Sequence, residues 1–353
     1  MPKSKLTLIV DGNWLLMSRL GVMSNRFKDD FELCHELQLM MIKSINIVLK
    51  TFHSIDNIIV VADGGSWRSN LEIPECLHHD ELGKEAEYKG TRERDESINW
   101  DLIFTTYEDF LSILSSTGIT ISREKDVEGD DWCYHWSRYL NSIGTNVMIW
   151  SRDNDLKQLV KIDHNKCFTV WWHKEDGLYT DEYNEEDMNF LFNNSFNENE
   201  SILNELTIKS NKVVRINPKT IIIEKIIRGD GSDNILPVLV KEPKTKGGRQ
   251  YKVTHKEIDY NLDYNDQNKV QEYFNNILQS KSWAGRVNKS IEDILKHFEY
   301  NRTLVFLDKS VYPKNILEIF DEHKDFNISN NIMLAESQIQ ATSNKLKNIL
   351  DII

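Results

Sequence analysis

The fold class this sequence predicts is α/β: a mostly parallel central sheet flanked by helices, with a smaller, mainly helical C-terminal domain. Two observations carry that expectation. Short apolar runs with strand character recur along the first half of the chain, separated by segments with helical spacing. Acidic words stand at or just after several of those runs, and an open α/β sheet gathers such distant side chains at one edge.

Taken in order, the strand-like runs are Leu6 to Val10, Ile58 to Ala62, Ile119 to Ile121, Val147 to Trp150 and Phe168 to Trp172. Between the first two, residues 31–52 place Leu33, Leu37, Met40, Met41, Ile45 and Val48 on one helical face, the pattern of a crossover helix. Residues 1–185 therefore read as the α/β core. The stretch 186–217 is rich in Asn, Glu and Asp (NFLFNNSFNENESILNE) and reads as a polar excursion or linker. After Asn217-Pro218, a helix over 219–227 delivers the word GDGSDN, and 218–353 reads as mainly helical.

A length of 353 residues with 40% hydrophobic content is ample for a packed core. No stretch approaches the ~18 apolar residues of a membrane span, and the start runs into a strand, so a soluble, cytoplasmic, monomeric protein without membrane contact is expected. Cys34, Cys76, Cys133 and Cys167 show no zinc spacing and read as buried thiols of a reducing compartment. The net charge of −13 taken alone argues against a polyanionic partner. Its distribution qualifies that. From Lys241 to Lys256 the chain carries Lys241, Lys244, Lys246, Arg249, Lys252 and Lys256 against the single acid Glu242.

The acidic words are the chemical core of the reading. Asp11 follows LTLIV, and Asp63 sits in VVADGG; singly, each reads equally as a turn former or helix cap. In VEGDD, Glu128 and Asp131 are three apart on a helix with Asp130 about 100° away, so all three can approach one site; the alternative is an acidic first turn favoured by the helix dipole. SRDNDL sets Asp153 and Asp155 on a turn after a strand, with a helix cap at Asp155 as the rival reading. GDGSDN places Asp230 and Asp233 three apart beside glycines. Carboxylates gathered in this number repel one another unless divalent cations neutralise them, and hard Mg²⁺ or Mn²⁺ prefers such oxygen ligands. Setting these nine acids aside, the net charge of −13 falls to −4.

In this order the words resemble those of the 5′ nucleases, the flap endonucleases and phage 5′-to-3′ exonucleases, with the RNases H of T-even phages nearest in motif. VEGDD resembles the family's E-A-D-D element, SRDNDLKQL its S-D-x-D-x-x-Q-L element, and GDGSDN its G-D-x-x-D-N element. SWRSN, EYKGTRERDESINW and the closing YNRTLVFLDKSVYPKNI resemble further stretches of the phage enzymes. Two departures stand out: Gly129 replaces the usual Ala, and LPVLV lacks the P-G-V-x-G-I-G-x-K hairpin of bacterial and cellular members.

The resemblance implies a PIN-like core with an arch or bridge near 67–100 and a duplex-binding region over 218–353. It implies a hydrolase using two Mg²⁺ ions, for which Mn²⁺ substitutes. Asp11, Asp63, Glu128 and Asp130 would serve mainly the first ion, and Asp131, Asp153, Asp155 and Asp230 mainly the second, with Asp233 further out. Arg68, Lys89, Arg92 and Arg94 would meet the 5′ end and scissile phosphate, with Lys89 and Arg92 taking part in catalysis. Lys241, Lys244, Lys246, Arg249 and Lys252 would meet duplex backbone. The implied activities are 5′-to-3′ exonuclease, RNase H and flap endonuclease, removing RNA primers and adjacent DNA during phage replication in the host cytoplasm. The implied substrates are RNA–DNA hybrid and 5′-flap or nicked duplex DNA; a replication single-strand binding protein or sliding clamp follows as partner from the resemblance alone. A branch-cutting endonuclease, a catalytically silent DNA-binding relative, and a phosphatase using Asp153 or Asp11 as nucleophile are the competing readings.

Overall fold

The structure, a computed structural model, describes residues 5–23, 30–78, 87–91, 95–162, 167–182, 198–241, 251–287 and 289–350. They divide into two compact units: those within 1–65, 95–216 and 315–353 form the first, and those within 66–94 and 217–314 the second.

The first unit is built on an eight-stranded sheet. Its strands are β1 (Leu6–Asp11), β2 (Asn57–Val61), β3 (Thr120–Ser122), β4 (Asn146–Trp150), β5 (Lys161–Ile162), β6 (Phe168–His173), β7 (Gly177–Asp181) and β8 (Val213–Ile216). The order is β3-β2-β1-β4-β6-β7-β8, with β5 paired to β6. From β3 to β6 along that path every pairing is parallel; β7 then joins antiparallel to β6, and β8 parallel to β7. All six residues of β1 are buried, as expected of a central parallel strand covered on both faces. Chain order runs outward from β1 through β2 to β3 on one side and from β4 to β6 on the other. The crevice beyond the carboxyl ends of β1 and β4 is therefore the switch point where α/β sheets place their ligands.

The helices of this unit include α1 (Gly12–Met23), α2 (Asp30–Thr51), α4 (Trp100–Ser116), α5 (Gly129–Ser142), α6 (Glu198–Lys209) and α11 (Ile332–Leu350). Between α2 and α4 the chain visits the second unit, with α3 (Glu75–His78). Crossover α2 buries Leu33, Leu37, Met41, Ile45 and Val48, the face expected from its spacing. Helix α5 carries Trp132, Trp136 and Leu140 inward, all essentially unexposed.

Two expectations about organisation change. The stretch read as a linker contains α6 and edge strand β8 over its described part, 198–216; Ile202 and Leu206 are buried against the sheet's core. The end of the chain, expected with the helical domain, belongs to the first unit. There α10 (Lys314–Glu322) sets Phe320 against Trp132 at 5.4 Å and His135 at 4.8 Å. Asn57 then accepts from the Ser329 amide at 3.0 Å, tying the following segment to the start of β2.

In the second unit, α7 (Pro218–Arg228), α8 (Gln267–Ser280) and α9 (Ile291–Val305) enclose a core of Ile222, Ile226, Phe274, Ile294 and Phe298. Asn217 caps α7, accepting from the Lys219 amide at 3.1 Å, and Pro218 occupies the first turn, where no N–H is needed. A short antiparallel pair of two-residue strands, β9 (Val240–Lys241) and β10 (Tyr251–Lys252), lies between α7 and α8. Three of the four cysteines are buried and all are free; Cys76 is only partly buried. No described helix is long and apolar enough to cross a membrane.

Candidate functional site

Asp11 is the last residue of β1 and caps α1, its Oδ1 accepting from the Trp14 amide at 3.0 Å. Its Oδ2 accepts from the Ser151 hydroxyl at 2.7 Å, so the first residue after β4 grips the carboxylate that ends β1. Burial, helped by the charges of Asp63 and Asp153, raises the Asp11 carboxyl from 3.8 to about 7 despite the lowering effect of these hydrogen bonds.

Asp63 follows β2 by two residues. Its Oδ1 accepts from the Gly129 amide at 2.6 Å, in the first turn of α5, where the helix dipole favours negative charge. Its Oδ2 accepts from the Asn13 amide group at 2.7 Å. Glu128 and Asp131 are buried at the same helix start, and Asp131 closes it by accepting from the Glu128 amide at 3.2 Å. Asp131 thus caps α5, a local role that its place in a run of acids does not reveal. Asp130, one residue before Asp131, is partly exposed.

Ser151 also accepts from the Asp153 amide at 2.9 Å, and Asp153 in turn accepts from the Asp155 amide at 2.8 Å. Trp171 of β6 anchors this turn, donating to the Asp153 carbonyl at 3.0 Å. The buried thiol of Cys133 registers the gathering: burial pushes it well up, followed by the charges of Asp11, Asp130, Asp153 and Asp63. Acidic words far apart in the sequence therefore meet at the carboxyl edge of the sheet, around the β1–β4 switch point. Ser151 and Asn13, which spacing alone did not single out, join them; both directly follow or closely neighbour an acidic word at a strand end.

Asp230 and Asp233 lie in the second unit. Burial would raise the Asp230 carboxyl, yet hydrogen bonds from Lys225 at 2.5 Å and from Ser232 hold it at about 2. Gly229 ahead of it has a φ of 68°, a left-handed conformation that favours glycine. The Asp233 carbonyl accepts from the Lys89 amide at 2.9 Å, and Asn234 donates to the Glu87 carbonyl at 2.9 Å. The GDGSDN loop is thereby stitched to the segment that carries Lys89.

Among the expected phosphate contacts, two are corrected. Arg68 is 2% exposed, its guanidinium 4.5 Å from the Trp67 ring, so it packs inside the unit. Lys241 is also buried, paired with Glu257 at 3.0 Å and 4.1 Å from the Trp283 ring. Each long basic stem finds an aromatic face and gives up solvent, which charge counting along the sequence does not register. Arg92, Arg94, Lys244, Lys246 and Arg249 lie outside the described residues, as does the side chain of Lys252.

No protein-family profile matches the sequence, and no curated protein matches it either. Solved structures do. The bacteriophage T5 flap endonuclease co-crystallised with metal ions aligns with a TM-score of 0.51 and 18% identity over 94% of this chain and 100% of that one. The T5 5′-exonuclease with bound zinc ions gives 0.51 and 17% over 91% and 98%. A pseudo-enzyme–product complex of the T5 flap endonuclease with DNA and metal ions gives 0.50 and 18% over 94% and 100%. At such identity what is shared is the fold, and this chain has the mostly parallel α/β fold of the phage T5 5′-exonuclease and flap endonuclease.

Proposed function

We propose that the protein is a divalent-metal-dependent 5′ nuclease that hydrolyses phosphodiester bonds near the 5′ ends of flapped, nicked or RNA-primed duplexes. The observation that carries this reading is the hydrogen-bond network that gathers the carboxylates at the switch point: Ser151 bonds both Asp11 and Asp153, and Asp63 is bonded by the Gly129 amide next to Asp130. The donor set fits Mg²⁺ or Mn²⁺: it is all hard oxygen, and burial keeps the Cys133 thiol protonated. The Asp11 carboxyl at about 7 marks a site where negative charge is costly without a cation. The T5 structures support the reading at the level of their own contents, metal ions in all three and DNA in one.

Asp11, Asp63, Glu128, Asp130, Asp153 and Asp155 would hold the metal, two Mg²⁺ ions by the motif resemblance. Bound there, the ions would supply a more acidic water and charge stabilisation for the leaving 3′ oxygen. The chain's own residues do the positioning. Ser151 fixes Asp11 and Asp153 relative to each other, and the α5 amide of Gly129 orients Asp63. Lys89 is assigned to phosphate contact as a point charge. RNA-primer removal in phage replication is the finer reading, resting on the motif stretches shared with the T-even phage RNases H.

The test is a 5′-labelled flap and an RNA-primed duplex incubated with Mg²⁺ or with EDTA. Metal-dependent release of short 5′ products is expected, with Asp153→Asn abolishing turnover while duplex binding persists. Binding without cleavage of any 5′-ended substrate would leave a silent DNA-binding relative, and cleavage confined to branch points would make it a branch endonuclease.

A further inference from the structure

We propose that Asn13 is a positioning residue for the Asp63 carboxylate, with Tyr107 behind it, and that this clamp sets the affinity of the site for its divalent cation. The inference rests on the metal-dependent reading above. Asn13 uses both ends of its amide on one residue: Nδ2 donates to Asp63 Oδ2 at 2.7 Å, and Oδ1 accepts from the Asp63 amide at 3.1 Å. A carboxylate oxygen only accepts and a backbone N–H only donates, so this pairing fixes the orientation of the Asn13 amide. Asp at this position could not donate, and Ser is too short to span both atoms.

With Gly129 bonding Asp63 Oδ1 at 2.6 Å, both carboxylate oxygens are held, one from α5 and one from α1. Tyr107 of α4 reaches Asn13 Oδ1 at 3.4 Å. Burial keeps the Tyr107 phenol well above its ordinary value, and Asp11 and Asp63 add to the shift, so the ring stays a neutral donor. Gly12 makes the arrangement possible. A Cβ there would lie 2.2 Å from the Tyr107 hydroxyl and 2.8 Å from the Val61 carbonyl. The word Asp11-Gly12-Asn13 thus joins a ligand, a clearance and a clamp within three residues, and α4 enters the site through Tyr107.

Groups that orient metal ligands without touching the metal typically change affinity or activity by 10–100-fold when removed. The experiment is calorimetric titration of the full-length protein with Mn²⁺ in the absence of nucleic acid, comparing wild type with Asn13→Ala and with the milder Asn13→Ser. The expected result is Mn²⁺ affinity lowered by about 10-fold or more in Asn13→Ala, and turnover that falls at low Mg²⁺ and recovers as Mg²⁺ is raised. In an Asp63→Asn background, Asn13→Ala should cause little further loss, because the carboxylate it positions is gone. Unchanged Mn²⁺ affinity in a folded Asn13 variant, or a full additional loss in the Asp63→Asn background, overturns the inference. Should Asn13→Ala fold poorly, Asn13→Ser carries the same comparison. A wild-type protein that binds no divalent cation overturns this inference and the nuclease reading together, whereas metal-dependent cleavage with indifferent Asn13 variants overturns this inference alone.

Discussion

Replacing Asp11 with Asn should stabilise the metal-free protein at alkaline pH while destroying its function. In the folded state the Asp11 carboxyl sits at about 7 against an ordinary 3.8, chiefly because it is buried. At 1.36 kcal/mol per tenfold, keeping that group ionised at pH 8 costs the fold about 4 kcal/mol. Asn removes the charge but offers one acceptor where Asp11 uses two oxygens, for Trp14 and Ser151, so about 1 kcal/mol of hydrogen bonding is lost. The net expectation is a gain of about 3 kcal/mol at pH 8 as an upper bound. The sign follows from proton counting. Between pH 3.8 and about 7 the folded state holds the Asp11 proton more firmly than the unfolded chain, so wild-type stability declines as pH rises through that window. The variant lacks this decline, and its advantage should vanish near pH 4. Urea unfolding in EDTA at pH 4 and pH 8 measures both differences, and added Mg²⁺ should restore the wild type selectively. A difference between Asp11→Asn and wild type that is the same at both pH values would refute the reasoning.

Lys241→Met should lower stability by about 3 kcal/mol through loss of the buried Glu257 pair, with duplex affinity per folded molecule unchanged; a filter-binding salt titration showing a reduced slope would return Lys241 to the nucleic-acid interface. Lys225→Met should cost about 2 kcal/mol at neutral pH, since Asp230 held at about 2 gives stability that is present above pH 4 and lost as pH falls toward 2; acid unfolding curves that coincide with wild type would count against the pair. Phe320→Ala should cost about 3–5 kcal/mol by opening a cavity beside Trp132 and His135, read as a lower thermal midpoint; a shift under 2 °C would mean the helix docks without that ring.

Strands β1, β2, β4 and β6 were legible because each is an apolar run buried on both faces, and burial of that kind writes itself into composition. The acidic words at their ends were legible for a related reason: a strand end in a parallel sheet is one of few places where several carboxylates can be brought together. Strand β8 was not legible, since Val213–Ile216 lies at the sheet edge with alternate residues exposed and sits beside an Asn-rich stretch resembling a linker. The return of α10 to the first unit rests on the fit of Phe320 against α5, a matter of shape that no local spacing encodes. Lys241 and Arg68 show the same limit for charge. A basic side chain in a sequence is equally a phosphate contact or a stem laid on a Trp ring, and only the packing around it settles which. Asn13 shows it for the site, because the value of that amide lies in its distance to Asp63, fifty positions along the chain. Local chemistry is carried by residue type and order, whereas partnership across the chain exists only once β1 and β2 lie side by side.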